Sequence, residues 1–204
     1  EEAVHLRQAG ITKPILILGI VFDEYFPELV QYDIRPAVCE YDEAKKLSDE
    51  AVLQNKTVHI HIALDTGMTR IGYADIPESV EEIKKIAELP NLEIEGMFTH
   101  FARADEYDRS PAMVQLERYQ DFSKRVEEAG VDIPLHHCRH YSCTGGEFEY
   151  RSRRNYYLWN LSFFGGGERH REACTCNGTE KSYYICKRCS GRCCDQLWRH
   201  LCGR

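Results

Sequence analysis

Short apolar runs alternate with segments of helical periodicity through the first 138 residues. Apolar, often β-branched runs that stop at a turn signal are typical of buried parallel strands. Such runs occupy residues 14–18, 34–39, 58–64, 92–98 and 131–137. Apolar residues recur at helical spacing in residues 1–8, 23–31, 41–55, 77–88 and 111–129. This alternation predicts an α/β fold with parallel strands and helical crossovers.

The pattern gives about five βα units, and five units cannot close an eight-stranded barrel. From the residues alone, the sheet is either open and doubly wound or one part of a barrel. Two prolines limit the elements. Pro27 has to lie in the first turn of its helix, and Pro36 weakens the second strand because it removes a ladder donor.

The stretch 58–73 contains the strongest candidate chemistry. Its apolar strand ends at the turn signal Asp65-Thr66-Gly67, and Arg70 follows just past the carboxyl end of the strand. α/β barrels carry ligand groups at that end of their strands. An isolated loop arginine is usually only a solvated charge, so these residues by themselves indicate no more than contact with an anion or a ring edge.

Residues 65–73, DTGMTRIGY, closely resemble the signature of the alanine racemases, which are fold-type III enzymes that use pyridoxal phosphate. The resemblance covers essentially all of residues 1–138. It implies that this segment, as one domain, provides roughly the third to seventh strands of the family's N-terminal barrel. We therefore expect a partial TIM-type (β/α) barrel over 1–138, followed by an irregular tail over 139–204.

The resemblance implies roles for two residues. Arg70 is expected to contact the phenolic oxygen of the cofactor and to help place the substrate carboxylate, for which a planar, permanently charged guanidinium is suited. Residues 99–105, THFARAD, are similar to the family's THF-x-x-AD motif. His100 is thereby expected to pack beside the cofactor ring and to help fix an arginine that faces the pyridine nitrogen, whereas the pattern alone favours a structural histidine.

The chain also departs from the family. Many members have a lysine two residues before the aspartate, and its carbamate orients the arginine; here that position is Ala63. The family's Schiff-base lysine motif, K-A-x-A-Y-G-H-G, and its tyrosine motif, S-Y-G-x-T-Y, do not occur in the 204 residues. No catalytic residue is therefore assigned. By descent we expect an enzyme that interconverts L- and D-alanine for peptidoglycan, and we expect this polypeptide itself to be inactive.

Other histidines are interpreted as structural: His59, His61, His136 and His137. His59 and His61 alternate on one face of a strand and could suit a metal, but no third ligand is evident in the sequence. No metal site is therefore predicted. The family's homodimer, in which the partner supplies the tyrosine, is not expected to form properly.

Composition narrows the setting of the protein. An apolar share of 43% and a charged share of 29% fit a globular protein. No run of 18 apolar residues exists, so no membrane span is expected. The chain opens with Glu1-Glu2 and shows no signal peptide, which favours the cytoplasm and a fragment that begins partway into a gene.

Charge and cysteine content both change near residue 138. Residues 1–138 hold 14 Lys+Arg and 27 Asp+Glu, a net charge of −13, and residues 139–204 hold 12 and 6, a net charge of +6. Eight of the 10 cysteines lie in the second part.

We interpret residues 139–204 as a tail translated out of frame. When Cys194–Arg204 is back-translated and read one nucleotide later, it becomes V-I-S-Y-G-G-T-Y-V-A, which resembles the missing tyrosine motif. The nucleotide sequence around codons 138 to 142 tests this hypothesis.

Alternative functions remain open at this point. One is a barrel-only protein that binds pyridoxal phosphate, although it too would need the lysine. Another is an accessory protein with a zinc-binding tail. Its four thiolates would come from among Cys174, Cys176, Cys186, Cys189, Cys193 and Cys194, with His170 or His200 nearby. The basic tail carries no nucleic-acid-binding motif, so no nucleic-acid partner is expected.

Overall fold

The structure is a computed structural model, and it describes residues 1–103, 108, 110–139 and 184–186. Five helices and seven strands lie in this part of the chain. The helices are α1 Glu2–Gln8, α2 Phe26–Gln31, α3 Tyr41–Leu53, α4 Pro77–Ala87 and α5 Ser110–Glu128. The strands are β1 Ile15–Ile17, β2 Ile34–Val38, β3 Val58–Asp65, β4 Tyr73–Ala74, β5 Leu92–His100, β6 Leu135–Arg139 and β7 Tyr184–Cys186. A 3₁₀ turn, Asp23–Tyr25, precedes α2.

All strand pairs are parallel, and the order across the sheet is β6-β5-β3-β2-β1-β7, with β4 beside β3. The five strands that the pattern predicted are β1, β2, β3, β5 and β6. They are neighbours in the sheet in the order in which they occur in the chain. A doubly wound sheet reverses its order at a switch point, whereas a barrel does not. The sheet is curled into a half-barrel, so the partial barrel that was expected is confirmed.

The main core lies between the convex face of the sheet and the helices. Ile60 and Ile62 of β3 are fully buried there, together with Leu47 of α3, Ile83 of α4 and Phe122 of α5. Each such side chain stabilises the fold by about 1.5–3 kcal/mol relative to an exposed one. A smaller cluster of Ala37, Ala63 and Phe98 lies on the concave face, which the side chains of alternate strand residues reach.

Within residues 1–139 the sequence pattern located the elements well and was wrong in two places. Residues 131–134 were predicted to begin a strand, but β6 begins at Leu135, after Pro134. Val131 and Ile133 are buried as the pattern required, yet they lie in the connection from α5 and make no ladder. The two-residue strand β4 was not predicted, because two residues give no periodicity.

Both prolines are accommodated as the sequence required. Pro27 lies in the first turn of α2. Pro36 lies in β2 between two neighbouring strands, and the ladder to β3 begins directly after it, with Ala37 opposite His61. The missing donor therefore shortens this ladder without ending the strand.

No helix in the described ranges is both long enough and apolar enough to cross a bilayer. Of residues 140–204, only 184–186 are described, as the strand that pairs with β1. The predicted irregular, out-of-frame tail and its proposed zinc ligands otherwise lie outside the described residues.

Candidate functional site

The loop after β3 is held by the side chain of Asp65. Its Oδ1 accepts hydrogen bonds from the backbone N–H of Gly67, at 2.9 Å, and of Thr69, at 3.0 Å. This Asx-type turn fixes the backbone up to the residue before Arg70. The Arg70 side chain is exposed and makes no hydrogen bond or ion pair with another described residue. The structure thus presents Arg70 on an ordered loop at the carboxyl end of β3.

The same loop is closed at its far end by Gly72, whose φ is +118°. A Cβ at this position would lie 2.8 Å from the backbone nitrogen of Asp65 and 2.9 Å from the carbonyl carbon of Leu64. Only glycine permits this close approach of the returning chain to β3. Tyr73 then pairs with Leu64 as the start of β4.

His100 is the last residue of β5, the strand next to β3. Thr99 pairs with Leu64, which puts His100 beside Asp65 at neighbouring carboxyl ends. His100 is partly buried. Both residues that the sequence singled out, Arg70 and His100, therefore belong to the same rim, defined here as the carboxyl ends of β3 and β5 with the loops that follow them.

Helix α5 connects the two loops of this rim. The Gln115 side-chain amide donates to Thr66 Oγ1 at 3.2 Å, and its Oε1 accepts from the Ala102 N–H at 2.9 Å. Arg118 donates to the Thr66 carbonyl oxygen at 3.2 Å. Gln115 is only 6% exposed, so these bonds are made away from water. Because one side chain bonds both loops, it fixes the position of one relative to the other.

Sequence reasoning missed Gln115 and Arg118 as residues that support the site. A second contact missed is the 2.8 Å hydrogen bond between the hydroxyls of Thr66 and Thr99, which joins the two strand ends directly. One signal in the sequence could have indicated Gln115. It is a polar residue on the packed face of an amphipathic helix, one position before the core residue Leu116.

Ala63 is 1% exposed and packs with Ala37 and Phe98 on the concave face. From the sequence, an alanine at this position left two alternatives open: Arg70 is held by another group, such as a bound anion, or it is held less firmly. Asp65 holds the loop backbone, and no described side chain bonds the Arg70 guanidinium.

The histidines on the strands divide between the two faces of the sheet. His136 faces α5, where its Nδ1 lies 3.1 Å from the Tyr119 hydroxyl and 3.3 Å from the Ser123 hydroxyl. Its interpretation as a structural residue agrees with these contacts. Within the described ranges no three His, Cys, Asp or Glu side chains are placed to hold a metal ion. Burial also raises the pKa of the Cys39 thiol to about 12, so this cysteine is not a thiolate at neutral pH.

Among the described residues, the rim offers a guanidinium and an imidazole but no amine for the covalent attachment of a cofactor. Arg70 and the partly buried imidazole of His100 can contact an anionic ring substituent and a ring face. The described lysines all lie in α3, α4 or α5, or in the loops before β1 and β3. These positions are on the outer layer or at the amino ends of the strands, so none of these lysines belongs to the rim.

Comparison with known proteins gives one consistent family. The family profile described as "Alanine racemase, N-terminal domain" matches residues 1–156. The chain is 43% identical to an alanine racemase of Clostridium tetani over 136 residues, which are 67% of this chain and 35% of that protein. It is 44% identical to an alanine racemase of Clostridium kluyveri over 135 residues, which are 66% and 34% of the two chains.

Solved structures agree with this result. The alanine racemase of Clostridium difficile 630 superposes with a TM-score of 0.66 at 39% identity, covering 67% of this chain and 36% of that one. The alanine racemase of Bacillus anthracis, solved with bound L-Ala-P, gives a TM-score of 0.59 at 36% identity, covering 67% and 35%. The chain therefore spans about a third of the length of these relatives.

Proposed function

The chain belongs to the alanine racemase family, and on that premise we propose that it carries part of the pyridoxal-phosphate site of an enzyme that interconverts L-alanine and D-alanine. The bound cofactor would supply an electron sink for the electron pair that stays on the α-carbon of the amino acid when its proton is removed. The residues of this chain would bind and orient the reacting molecules at the rim.

The observation that carries the proposal is the ordered rim itself. The loop with Arg70 is fixed by Asp65 and Gly72 and is bonded through Gln115 to the loop that follows His100. A guanidinium on a fixed loop can present two parallel N–H donors to a carboxylate or a phenolate oxygen. Arg70 would accordingly bind the substrate carboxylate and the phenolic oxygen of the cofactor, and His100 would pack beside the cofactor ring.

A polypeptide of these 204 residues alone is not expected to racemise alanine. The family's lysine and tyrosine motifs are absent from its sequence. The described lysines also lie away from the rim. A proton has to leave one face of the α-carbon and return on the other. The roles proposed for Arg70 and His100 are binding and packing, and they do not include this proton transfer.

A chimera tests the proposal. Residues 1–136 would replace the matching segment of the Clostridium tetani relative, which supplies the rest of the enzyme. We expect an active racemase whose kcat/KM falls by about 100-fold or more on Arg70→Ala, since a charged donor that is fixed in place is lost. Arg70→Lys should not restore the activity, because an ammonium cannot form the planar two-donor contact.

Arg125→Ala is the matched control. Arg125 lies on the outer helix α5, where it pairs with Asp75, so its loss should leave kcat/KM within about twofold of the unsubstituted chimera. A folded, cofactor-loaded chimera that is equally active with and without the Arg70 guanidinium would contradict the proposed role.

A further inference from the structure

A row of buried polar side chains crosses the concave face one layer below the rim. Arg35 of β2 donates from Nε to Glu95 Oε2 of β5 at 3.2 Å, and Nε2 of His61, on β3, lies 3.5 Å from the same oxygen. Nδ1 of His61 lies 2.9 Å from Nε2 of His137, on β6. His137 in turn stacks on Phe98, with ring centroids 5.0 Å apart. Four strands therefore contribute to one continuous polar contact.

This row has a fixed charge at one end. Burial by itself would raise the pKa of Glu95, but the close contact with His61 and the charge of Arg35 outweigh it and lower the pKa to about 2. Arg35 is also paired with Asp33 at 2.7 Å. Arg35, Glu95 and His61 are 7%, 9% and 0% exposed, so the carboxylate acts on its neighbours with little screening by water.

The anion determines where the imidazole protons lie. A carboxylate can only accept, so the proton of neutral His61 belongs on Nε2, which faces Glu95. Nδ1 of His61 is then an acceptor, and the 2.9 Å contact requires Nε2 of His137 to donate. Nδ1 of His137 is left as an acceptor. The opposite order would place two lone pairs, those of His61 Nε2 and of Glu95, against each other.

Burial favours the neutral form of both imidazoles, the form to which this tautomer assignment applies. Burial lowers the pKa of His61, against the opposing effect of Glu95 and with smaller contributions from the charges of Arg35 and His59. Burial likewise lowers the pKa of His137, with smaller contributions from His61 and His136. A hydrogen bond between two imidazoles needs one bare nitrogen, which a doubly charged pair does not have.

The backbone is shaped to make room for this row. A Cβ at Gly96 would lie 2.4 Å from His61 Nδ1 and 2.5 Å from its Cε1. The register between β3 and β5 also shifts between Ile60 and His61, so that His61 lies opposite Gly96. A side chain at residue 96 would force the His61 ring away from His137.

We propose that Glu95 sets the tautomers of His61 and His137 in sequence, so that His137 presents Nδ1 as a neutral hydrogen-bond acceptor in the layer directly beneath the rim. This proposal deepens the proposed function. It rests on that function only for the identity of the ligand that the rim binds above His137. His61, Glu95 and Gly96 are positioning residues that act through His137. The group that His137 receives is a hydrogen-bond donor, since a carboxylate or phosphate would meet the lone pair of Nδ1.

Nitrogen-15 NMR of the full chain labelled at the histidine rings tests this proposal without any measurement of activity. At pH 7 we expect protonated Nε2 and bare Nδ1 for both His61 and His137, favoured over the other tautomer by about tenfold or more. Both rings should be neutral at pH 7. A protonated Nδ1 on either ring, or a charged ring at pH 7, would overturn the proposal.

Glu95→Met tests the coupling, because methionine keeps the length of the side chain and removes the acceptor. The tautomer ratio of His137 should fall by about tenfold or more, although Glu95 contacts Arg35 and His61 and the ring of His137 is reached only through His61. Glu93→Met is the matched control, since Glu93 pairs with His59 at 3.4 Å and should leave both rings unchanged. If His61 alone responds to Glu95→Met, the relay does not exist.

Should Glu95→Met fail to fold, the spectrum of the unsubstituted chain still decides the tautomers. These results are independent of the racemase chimera. An inactive chimera with the expected tautomers would refute the proposed function only, and an active chimera with the opposite tautomers would refute the relay only.

Discussion

Thr69 has φ +55°, a value that a β-branched residue adopts only at a cost of about 1–3 kcal/mol. The two hydrogen bonds to Asp65 Oδ1, one of them from Thr69 itself, hold this conformation directly before Arg70. At the scale of single residues, the loop is thus kept in a conformation that its sequence would not choose locally. Gly72 completes the same turn through a close contact between backbone atoms.

Comparison with Gly10 separates two effects at Gly72, the positive φ and the close approach of the backbone. Gly10 also has a positive φ, +88°, but a Cβ added there would meet no atom within 4 Å. We expect Gly10→Ala to lower the free energy of unfolding by about 1 kcal/mol, from backbone strain alone. Gly72→Ala should cost a further 1–3 kcal/mol or so, because its methyl group would meet the backbone of β3. Urea denaturation of the two variants measures the difference, and equal losses would show that the close approach is unimportant.

At the scale of elements, α5 both covers the sheet and supports the rim. Tyr119 and Phe122 are fully buried against the strands, and the Tyr119 hydroxyl donates to the Met97 carbonyl oxygen at 2.7 Å. Gln115, one turn before Tyr119, and Arg118, directly before it, bond the loops at the strand ends. A shift of this helix would therefore move both loops together.

Gln115→Ala should loosen the rim more than it destabilises the fold. The substitution removes the partner of the Ala102 N–H and one of the partners of the Thr66 hydroxyl, which keeps its bond to Thr99. The expected loss is about 1–3 kcal/mol. We expect faster amide hydrogen exchange in residues 66–70 and at residue 102, with exchange in β3 unchanged. Gln54→Ala removes a partly exposed glutamine that bonds Pro27 and Glu50, and it should alter neither segment. Unchanged exchange in the Gln115 variant would refute the supporting role.

Periodicity predicted α5 to within a residue at each end, because its apolar positions are local and regular. It could not predict the part played by Gln115, whose partners lie 49 and 13 residues away and are brought near only by the fold. Arg70 and His100 were found through their motifs, and the structure places both at one rim. The row from Arg35 to His137 was missed because its members are spread over four strands and none has a sequence neighbour that marks it.

At the scale of the whole molecule, the two faces of the sheet have different chemistry. The convex face is apolar and meets the helices, whereas the concave face holds the small cluster of Ala37, Ala63 and Phe98 and the buried ion pair of Arg35 with Glu95. The order of strands and the single layer of helices follow from sequential βα units. The polar layer inside makes the stability of the half-barrel sensitive to acid.

The sign of this sensitivity follows from Glu95. Its pKa in the folded protein is about 2, below the ordinary 4.5, so its contribution to stability is complete above pH 4.5 and is lost as the pH falls towards 2. For this nearly buried group the contribution is at most about 3 kcal/mol. Glu95→Gln should therefore differ most from the unsubstituted chain at pH 7 and least near pH 2, as measured by urea denaturation across that range. The exposed Glu93→Gln should show little pH-dependent difference, and a constant gap for Glu95→Gln would contradict the assignment.

The contact between Gly96 and the ring of His61 also limits how this barrel can diverge. Residue 96 can gain a side chain only if residue 61 becomes small or turns away, and a large ring at 61 requires glycine at 96. In an alignment of related barrels, the two columns should therefore covary as a pair. In a library randomised at both codons, the folded clones should show the same pairing. Those with histidine at 61 should have glycine at 96, and those with a larger residue at 96 should have alanine or serine at 61.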